Sequence, residues 1–383
     1  MRRIYLDHNA TTPVHPDALK AMLPFLEASY GNPSSMHFLG REARAALDNA
    51  RERLAKLLGA KPGEIVFTGS GTESDNYAIF GAVRALAGKG RHVITSAVEH
   101  HAVLHSCEHL RRHEGVEVMV LPVDGDGVVS PDAVRSAIRN DTALVSVMWA
   151  NNETGALQPV REIGAICRER GVLFHTDAVQ AFGKVPVNVN DVPVDLLSIS
   201  GHKVYGPKGV GALWIRPRVK IEPLLHGGSH ENDRRAGTEN VVGIVGFVRA
   251  AEITTTRTES EDARLRALTE RLWQGLSTRI ERIRRNGPAD RRVANTLNVS
   301  FAGCKSDALL MSLDLEGIAV SSGSACAVGS LKPSPVLLAM GLGTEMANAA
   351  VRFSLGAGTT EADVDAVLNI MPGIVARLRS FAA

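Results

Sequence analysis

The segment Ser200-Gly201-His202-Lys203 runs into Tyr205-Gly206-Pro207-Lys208-Gly209, so a lysine emerges where an apolar run gives way to a Gly/Pro-rich loop. A solvated lysine with a pKa near ~10 is inert, whereas a desolvated amine, or one joined to an aldehyde, does carbonyl chemistry. Taken alone, Lys203 reads most plainly as a surface lysine beside a turn. Its company argues for more. In Leu173-Phe174-His175-Thr176-Asp177-Ala178-Val179-Gln180 an apolar run delivers an acid at its end and an amide three residues on. Such a carboxylate can hold a pyridine nitrogen protonated through a charge-assisted hydrogen bond of ~1.5–3 kcal/mol, which turns the ring into an electron sink. The other reading of Asp177 is a helix N-cap.

Thr68-Gly69-Ser70-Gly71-Thr72-Glu73-Ser74 outlines a phosphate cup, with glycines and hydroxyls opening a helix whose first amides and dipole favour an anion. It is neither a Walker loop nor a G-x-G-x-x-G fingerprint, and Ser or Thr before Glu also makes an ordinary capping arrangement. Cys326 lies in Ser321-Ser322-Gly323-Ser324-Ala325-Cys326-Ala327-Val328-Gly329-Ser330, small residues that cannot fill a core. An exposed loop and a working thiol are expected there, in contrast to Cys167 among apolar residues. His101, His105, His109 and His113 share one helical face. A zinc site would need further ligands, and no nearby Cys or carboxylate cluster supplies them, so a solvated face is expected and no metal.

These residues sit in a chain of 383 residues and 40.9 kDa, with 44% hydrophobic and 22% charged residues, the composition of a globular protein of two or three domains. The formal net charge of +2 is too small for a protein whose main work is gripping nucleic acid. No apolar stretch approaches the roughly 18 residues of a membrane span, and the N-terminus reaches Asp7 and His8 before any signal-like apolar run, so a cytoplasmic protein without membrane contact is expected. Four scattered cysteines do not make a disulfide framework.

What positions the site is an alternation of short aliphatic runs with helical-period segments. Strands are expected at Ile65–Thr68, His92–Ser96, Glu117–Leu121, Leu144–Trp149, Leu173–Asp177, Leu196–Ser200 and Gly211–Ile215. Helices are expected between them at Glu73–Ala87, Ala102–Glu114, Pro131–Arg139 and Val160–Arg170. The fold class is α/β: a large domain with a mostly parallel seven-stranded sheet between helices, its ligand site at the strand ends, plus a smaller α+β domain. In the second part, an apolar helix from about Asn240 meets a break at Thr254-Thr255-Thr256, and an amphipathic helix spans about Ser260 to Arg284. Strands near Asn295–Phe301 and Val351–Ser354 and a helix from about Glu361 to Leu378 follow. The boundary falls near residue 255, giving a cofactor domain of residues 16–255 and a small domain of 1–15 with 256–383 that carries the Cys326 loop.

Over nearly its whole length, from Tyr5-Leu6-Asp7-His8-Asn9-Ala10-Thr11-Thr12-Pro13 through Gly31-Asn32-Pro33-Ser34-Ser35 to Arg352-Phe353-Ser354-Leu355-Gly356, the chain resembles the cysteine desulfurases. These are class-V aminotransferase relatives among the fold-type-I pyridoxal-phosphate enzymes, here of the first desulfurase class. The resemblance implies that Lys203 is the covalent anchor of pyridoxal 5'-phosphate. By the same likeness Asp177 pairs with the ring nitrogen, Gln180 and Asn152 contact the ring hydroxyl, and Gly71, Thr72, Ser200 and His202 hold the phosphate. Thr238, in Arg235-Ala236-Gly237-Thr238-Glu239-Asn240, resembles a residue that reaches the phosphate of a partner subunit, which implies a homodimer. His100 matches a histidine that stacks on the ring and handles protons, and Arg352 one that binds the substrate carboxylate with its planar fork.

The implied reaction removes the Cα proton of L-cysteine with Lys203, transfers the sulfur to Cys326 as a persulfide and releases L-alanine, the sulfur passing on to an acceptor protein. The acceptor would serve iron–sulfur assembly or nucleic-acid or cofactor thiolation. Rival readings are selenocysteine lyase or aminotransfer on the same scaffold, or a catalytically silent binding protein. Gly69-Ser70-Gly71 stands where relatives commonly have Ser-Gly-Ala, a departure from the family pattern within the phosphate segment. The chain closes soon after Arg377-Leu378-Arg379, short of the tail with which iron–sulfur members dock their scaffold, so a dedicated acceptor is expected.

Overall fold

The computed structural model describes residues 3–323 and 333–382. Its main sheet has seven strands in the spatial order Ile65–Thr68, Gly211–Ile215, Leu196–Ser200, Leu173–Asp177, Thr142–Ser146, His92–Ser96, Glu117–Leu121. All neighbours are parallel except that Gly211–Ile215 runs antiparallel to both of its own. Leu196–Ser200 and Gly211–Ile215 are buried at every residue, as central strands covered by helices on both faces must be. The edge strand Glu117–Leu121 is mostly exposed.

Six of the seven strands have the bounds expected from sequence. The seventh starts at Thr142, which pairs with His92, and ends at Ser146; beyond it the Glu99 carboxylate takes the amide of Met148 at 2.9 and 3.0 Å. Val160–Arg170 ends as expected at Gly171, whose φ of 64° is the left-handed cap that glycine accommodates.

Three expectations are corrected. The helix after the phosphate-cup segment starts at Gly71, not Glu73, because Ser70 is the N-cap and its hydroxyl accepts from the Glu73 amide at 3.0 Å. The threonine triplet forms the last turn of its helix, which spans Val241–Thr256, and the break falls just after it at Arg257, the next helix starting at Thr258. Each hydroxyl donates back to a carbonyl four residues earlier, Thr254 to Ala250, Thr255 to Ala251 and Thr256 to Glu252, all at 2.8 Å. The following helix ends at Arg279, and Ile283–Asn286 is a strand paired antiparallel with Thr296–Phe301, which pairs in turn with Ala350–Ser354. A separate apolar cluster packs here, including Leu272, Phe301, Phe353 and Val367 and, from the N-terminal segment, Ile4 and Leu6. No helix among the described residues is long and apolar enough to cross a membrane.

Candidate active site

At the carboxyl ends of the strands, residues from nine separate chain segments converge on a cavity of about 280 Å³. Of the residues singled out from sequence, Lys203, Asp177, Gln180, Asn152, Gly71, Thr72, Ser200, His202, His100 and Arg352 all line it. Thr238 does not, and is exposed. Cys326 lies outside the described residues. The histidine face forms ring pairs, His101 stacking on His105 at 4.9 Å between centroids while His109 meets Phe80 edge-on. No group of three His, Cys, Asp or Glu side chains among the described residues is placed to hold a metal ion.

Ser200 ends its strand, and the short 3-10 turn Gly201–Lys203 turns the lysine back toward the cavity. The amine of Lys203 donates to the carbonyls of Asn9 and Ala10, both at 2.7 Å. Asp177 ends the neighbouring strand and is 5% exposed, its Oδ1 accepting from the Val179 amide at 2.9 Å. It caps no long helix. Burial pushes its carboxyl up to about 6, against the pull of the Val179 amide and of Lys203, so it is still mainly ionised at neutral pH. Desolvation lowers His100 to about 4, with Lys203 and the two nearby histidines adding to the effect. His100 is also an N-cap: Nδ1 accepts from the Ala102 amide at 3.1 Å, so in the neutral ring the proton sits on Nε2. His202, desolvated beside Lys203 and Lys208, is likewise held near 4.

Arg352 is 1% exposed. Nη1 donates to the carbonyls of Asn152 and Gly323 at 3.0 and 2.6 Å, Nη2 to Asp7 at 2.7 Å, and the buried Nε has no partner among the described residues. A guanidinium lining a cavity with donor capacity left over suits an anionic ligand. Gly71 begins its helix so close to Val179 that a Cβ there would lie 2.8 Å from Cγ2, which explains the glycine. The first helical backbone bond is made by Ser74, back to Ser70, so the amides of Gly71 and Thr72 precede the ladder.

Sequence reasoning missed four further groups on this cavity or behind it. Glu99 accepts from Ser96 at 2.5 Å as well as from Met148, and burial pushes it up to about 8. Glu153 accepts from the Ser334 hydroxyl at 2.5 Å, and burial raises it too. Asp75 is 2% exposed, its Oδ1 3.6 Å from His175 Nε2 and without a hydrogen bond among the described residues, and burial and the Asp177 charge push it well above the usual carboxylate range. The fourth is Lys184, beyond Gln180. Asp75 lies in the polar first turns of its helix, among Thr72, Glu73, Ser74 and Asn76, and Glu99, Glu153 and Lys184 sit in loops, so local pattern carries no signal for any of them.

The donor set fits pyridoxal phosphate. Free first-turn amides with the Ser200 hydroxyl and His202 suit a phosphate, an ionised buried carboxylate suits a protonated ring nitrogen, and a neighbouring lysine suits an aldehyde.

Residues 4–367 match the aminotransferase class-V family. Curated relatives include cysteine desulfurase IscS of Dictyoglomus turgidum, 50% identical over 99% of this chain and 96% of that protein, and IscS of Methanosarcina thermophila, 50% identical over 99% and 93%. Among solved structures, a NifS-like protein superposes with a TM-score of 0.93 at 38% identity, covering 98% of this chain and 100% of that one. SspA in complex with cysteine gives 0.81 at 38% identity over 92% and 98%. The chain therefore belongs to the class-V aminotransferase family and, within it, to the pyridoxal-phosphate-dependent cysteine desulfurases.

Proposed function

We propose that Lys203, Asp177 and Arg352 divide between them the work of a desulfurase that takes sulfur from L-cysteine and leaves L-alanine. The observation that carries this is their convergence on one cavity, a buried carboxylate, an amine and a buried guanidinium with a spare N–H. The bound cofactor supplies an electron-withdrawing ring that makes the substrate Cα–H acidic. Asp177 holds the ring nitrogen's proton, Gly71, Thr72, Ser200 and His202 take the phosphate, and Asn152 and Gln180 face the ring oxygen. Arg352 would take the substrate carboxylate, and Lys203 would remove the Cα proton. His100, neutral with Nε2 protonated, stacks on the ring and donates to groups that gain charge.

Cys326 as thiolate attacks the substrate sulfur. An S–S bond forms, the C–S bond breaks, and its electron pair stays on the carbon skeleton, which takes up a proton and leaves as alanine. The persulfide then passes to an acceptor protein. L-Cysteine as substrate agrees with the ligand of the related SspA structure.

Two copies of the chain form the working unit, with Thr238 of each reaching toward the other's phosphate. Exposed Tyr30, Met36 and Phe38, at 71%, 91% and 62%, beside exposed Leu26 support a buried interface here. Residues 16–255 act as the cofactor domain and 1–15 with 256–383 as the small one, a division supported by the apolar cluster that unites Ile4 and Leu6 with Phe301 and Phe353. The working compartment is the cytoplasm. The test compares native chain with Cys326→Ser, both loaded with cofactor and given L-cysteine. Native protein gains one sulfur on Cys326 and releases alanine, while Cys326→Ser keeps the cofactor's visible absorbance and loses both. Alanine at the native rate from Cys326→Ser would overturn the assignment of that thiol.

A further inference from the structure

Lys184 follows Gly183, whose φ of 76° makes a turn, and a Cβ at Gly183 would lie 2.8 Å from Val204 and 2.9 Å from Thr254. The turn sends the lysine side chain back along Gln180. Its amine donates to Gln180 Oε1 at 2.5 Å and to Asn9 Oδ1 at 2.9 Å. Neither oxygen can donate, so both bonds must come from the lysine, and two N–H groups suffice whether the amine is charged or neutral. The orientation of Asn9 is fixed from elsewhere, its Nδ2 donating to the Asn152 carbonyl and Thr296 Oγ1 while Oδ1 also accepts from Asn295. Gln180 has fewer ties. One N–H of Nε2 donates to the Asn9 carbonyl at 2.9 Å, the same oxygen that holds Lys203, and the other N–H is left for the cavity that Gln180 lines.

Lys184 does not line that cavity. It lies on a second one of about 160 Å³ behind it, faced there by His8, Glu261 and Asp262, with Lys203 and Arg352 as the nearby cations that, with burial, push its amine well below the usual lysine range.

We propose that Lys184 is a positioning residue: by holding Oε1 from behind, it keeps the Gln180 amide with its N–H side toward the cavity, so that Gln180 donates to the ring oxygen of the bound cofactor. This rests on the reading of Gln180 as a ring contact and adds what enforces its polarity. Without Lys184 a buried oxygen loses its partner and the amide is held only by its Nε2 bond to the Asn9 carbonyl, so its N–H side is less firmly turned toward the cavity and the ring oxygen loses much of a donor. That oxygen then holds the proton it shares with the Lys203 nitrogen more tightly.

The test is the pH titration of the visible absorption band of cofactor-loaded protein without substrate. Lys184→Met is expected to raise the midpoint by about 0.5–1 pH unit, the effect of losing roughly one hydrogen bond. Lys184→Arg, which keeps the donors, is expected to stay near the native value. Gln180→Leu should show the same rise, and the double variant no more than Gln180→Leu alone. Should Lys184→Met fail to fold, Lys184→Leu, which also lacks a donor, is expected to shift the midpoint in the same direction. An unmoved midpoint in folded Lys184→Met or its fallback variant, or full additivity with Gln180→Leu, overturns the proposal, the second because it indicates a charge acting through space. An unmoved midpoint in Gln180→Leu itself overturns the reading of Gln180, and this proposal with it.

Discussion

The amine of Lys203 lies 2.7 Å from the carbonyl oxygen of Asn9, a residue 194 positions earlier in the chain. A strand end of the large sheet and the N-terminal segment thus meet at one atom. The resting place of the lysine is set by main-chain carbonyls that a point substitution elsewhere cannot easily remove. Lys203→Ala is expected to cut turnover at least ~10³-fold, because the proton acceptor and the anchor go together. Steady-state alanine release with cofactor in excess checks this.

Arg352 offers a planar fork, which a lysine does not reproduce. Arg352→Lys keeps the charge but loses the paired geometry, and is expected to lower kcat/KM for L-cysteine by ~10- to 100-fold, mainly through KM. Initial rates over a range of cysteine concentrations separate this from a loss of kcat, which would point away from carboxylate binding.

Asp177 titrates at about 6, raised by burial and restrained by Lys203. As pH falls through that value the carboxylate is lost, so cofactor uptake by the cofactor-free native chain should weaken below about pH 6. Asp177→Asn should bind more weakly at pH 7 by ~10- to 100-fold, with the gap narrowing toward pH 5. Taking the difference between the two proteins cancels the phosphate's own titration near pH ~6. Fluorescence titration with cofactor measures it.

Glu99, pushed up to about 8 by burial, makes the opposite kind of contribution. A carboxyl whose folded pKa lies above its unfolded value favours the fold at low pH, and that advantage fades as pH rises from about 4.5 to about 8. Glu99→Gln never ionises. Its Tm relative to the native chain is expected to improve steadily from pH 5 to pH 8, as followed by thermal unfolding of the cofactor-free proteins.

The main sheet was legible because its strands are short aliphatic runs closed by polar residues, and two of the polar residues at the strand ends, Asp177 and Ser200, rim the cavity. The strand Ile283–Asn286 was hidden, since Ile-Arg-Arg-Asn continues the charged, amphipathic character of the helix before it. In the site, Lys203 and Asp177 were legible as chemistry-bearing types in unlikely settings. Glu99, Glu153 and Lys184 were not: each is held in part by a partner far along the chain, Met148, Ser334 and Asn9, and local sequence holds no trace of such a pairing.

Two lysines approach Asn9, and only one of them lines the cavity, so the central claim is that the cofactor is joined to Lys203 and not to Lys184. Reduction of cofactor-loaded protein with borohydride, followed by peptide mapping, reads the attachment point directly. The expected result is a pyridoxyl group on the peptide containing Lys203, with Lys184 unmodified. A label on Lys184, or none on either lysine in protein that has taken up the cofactor, would contradict it.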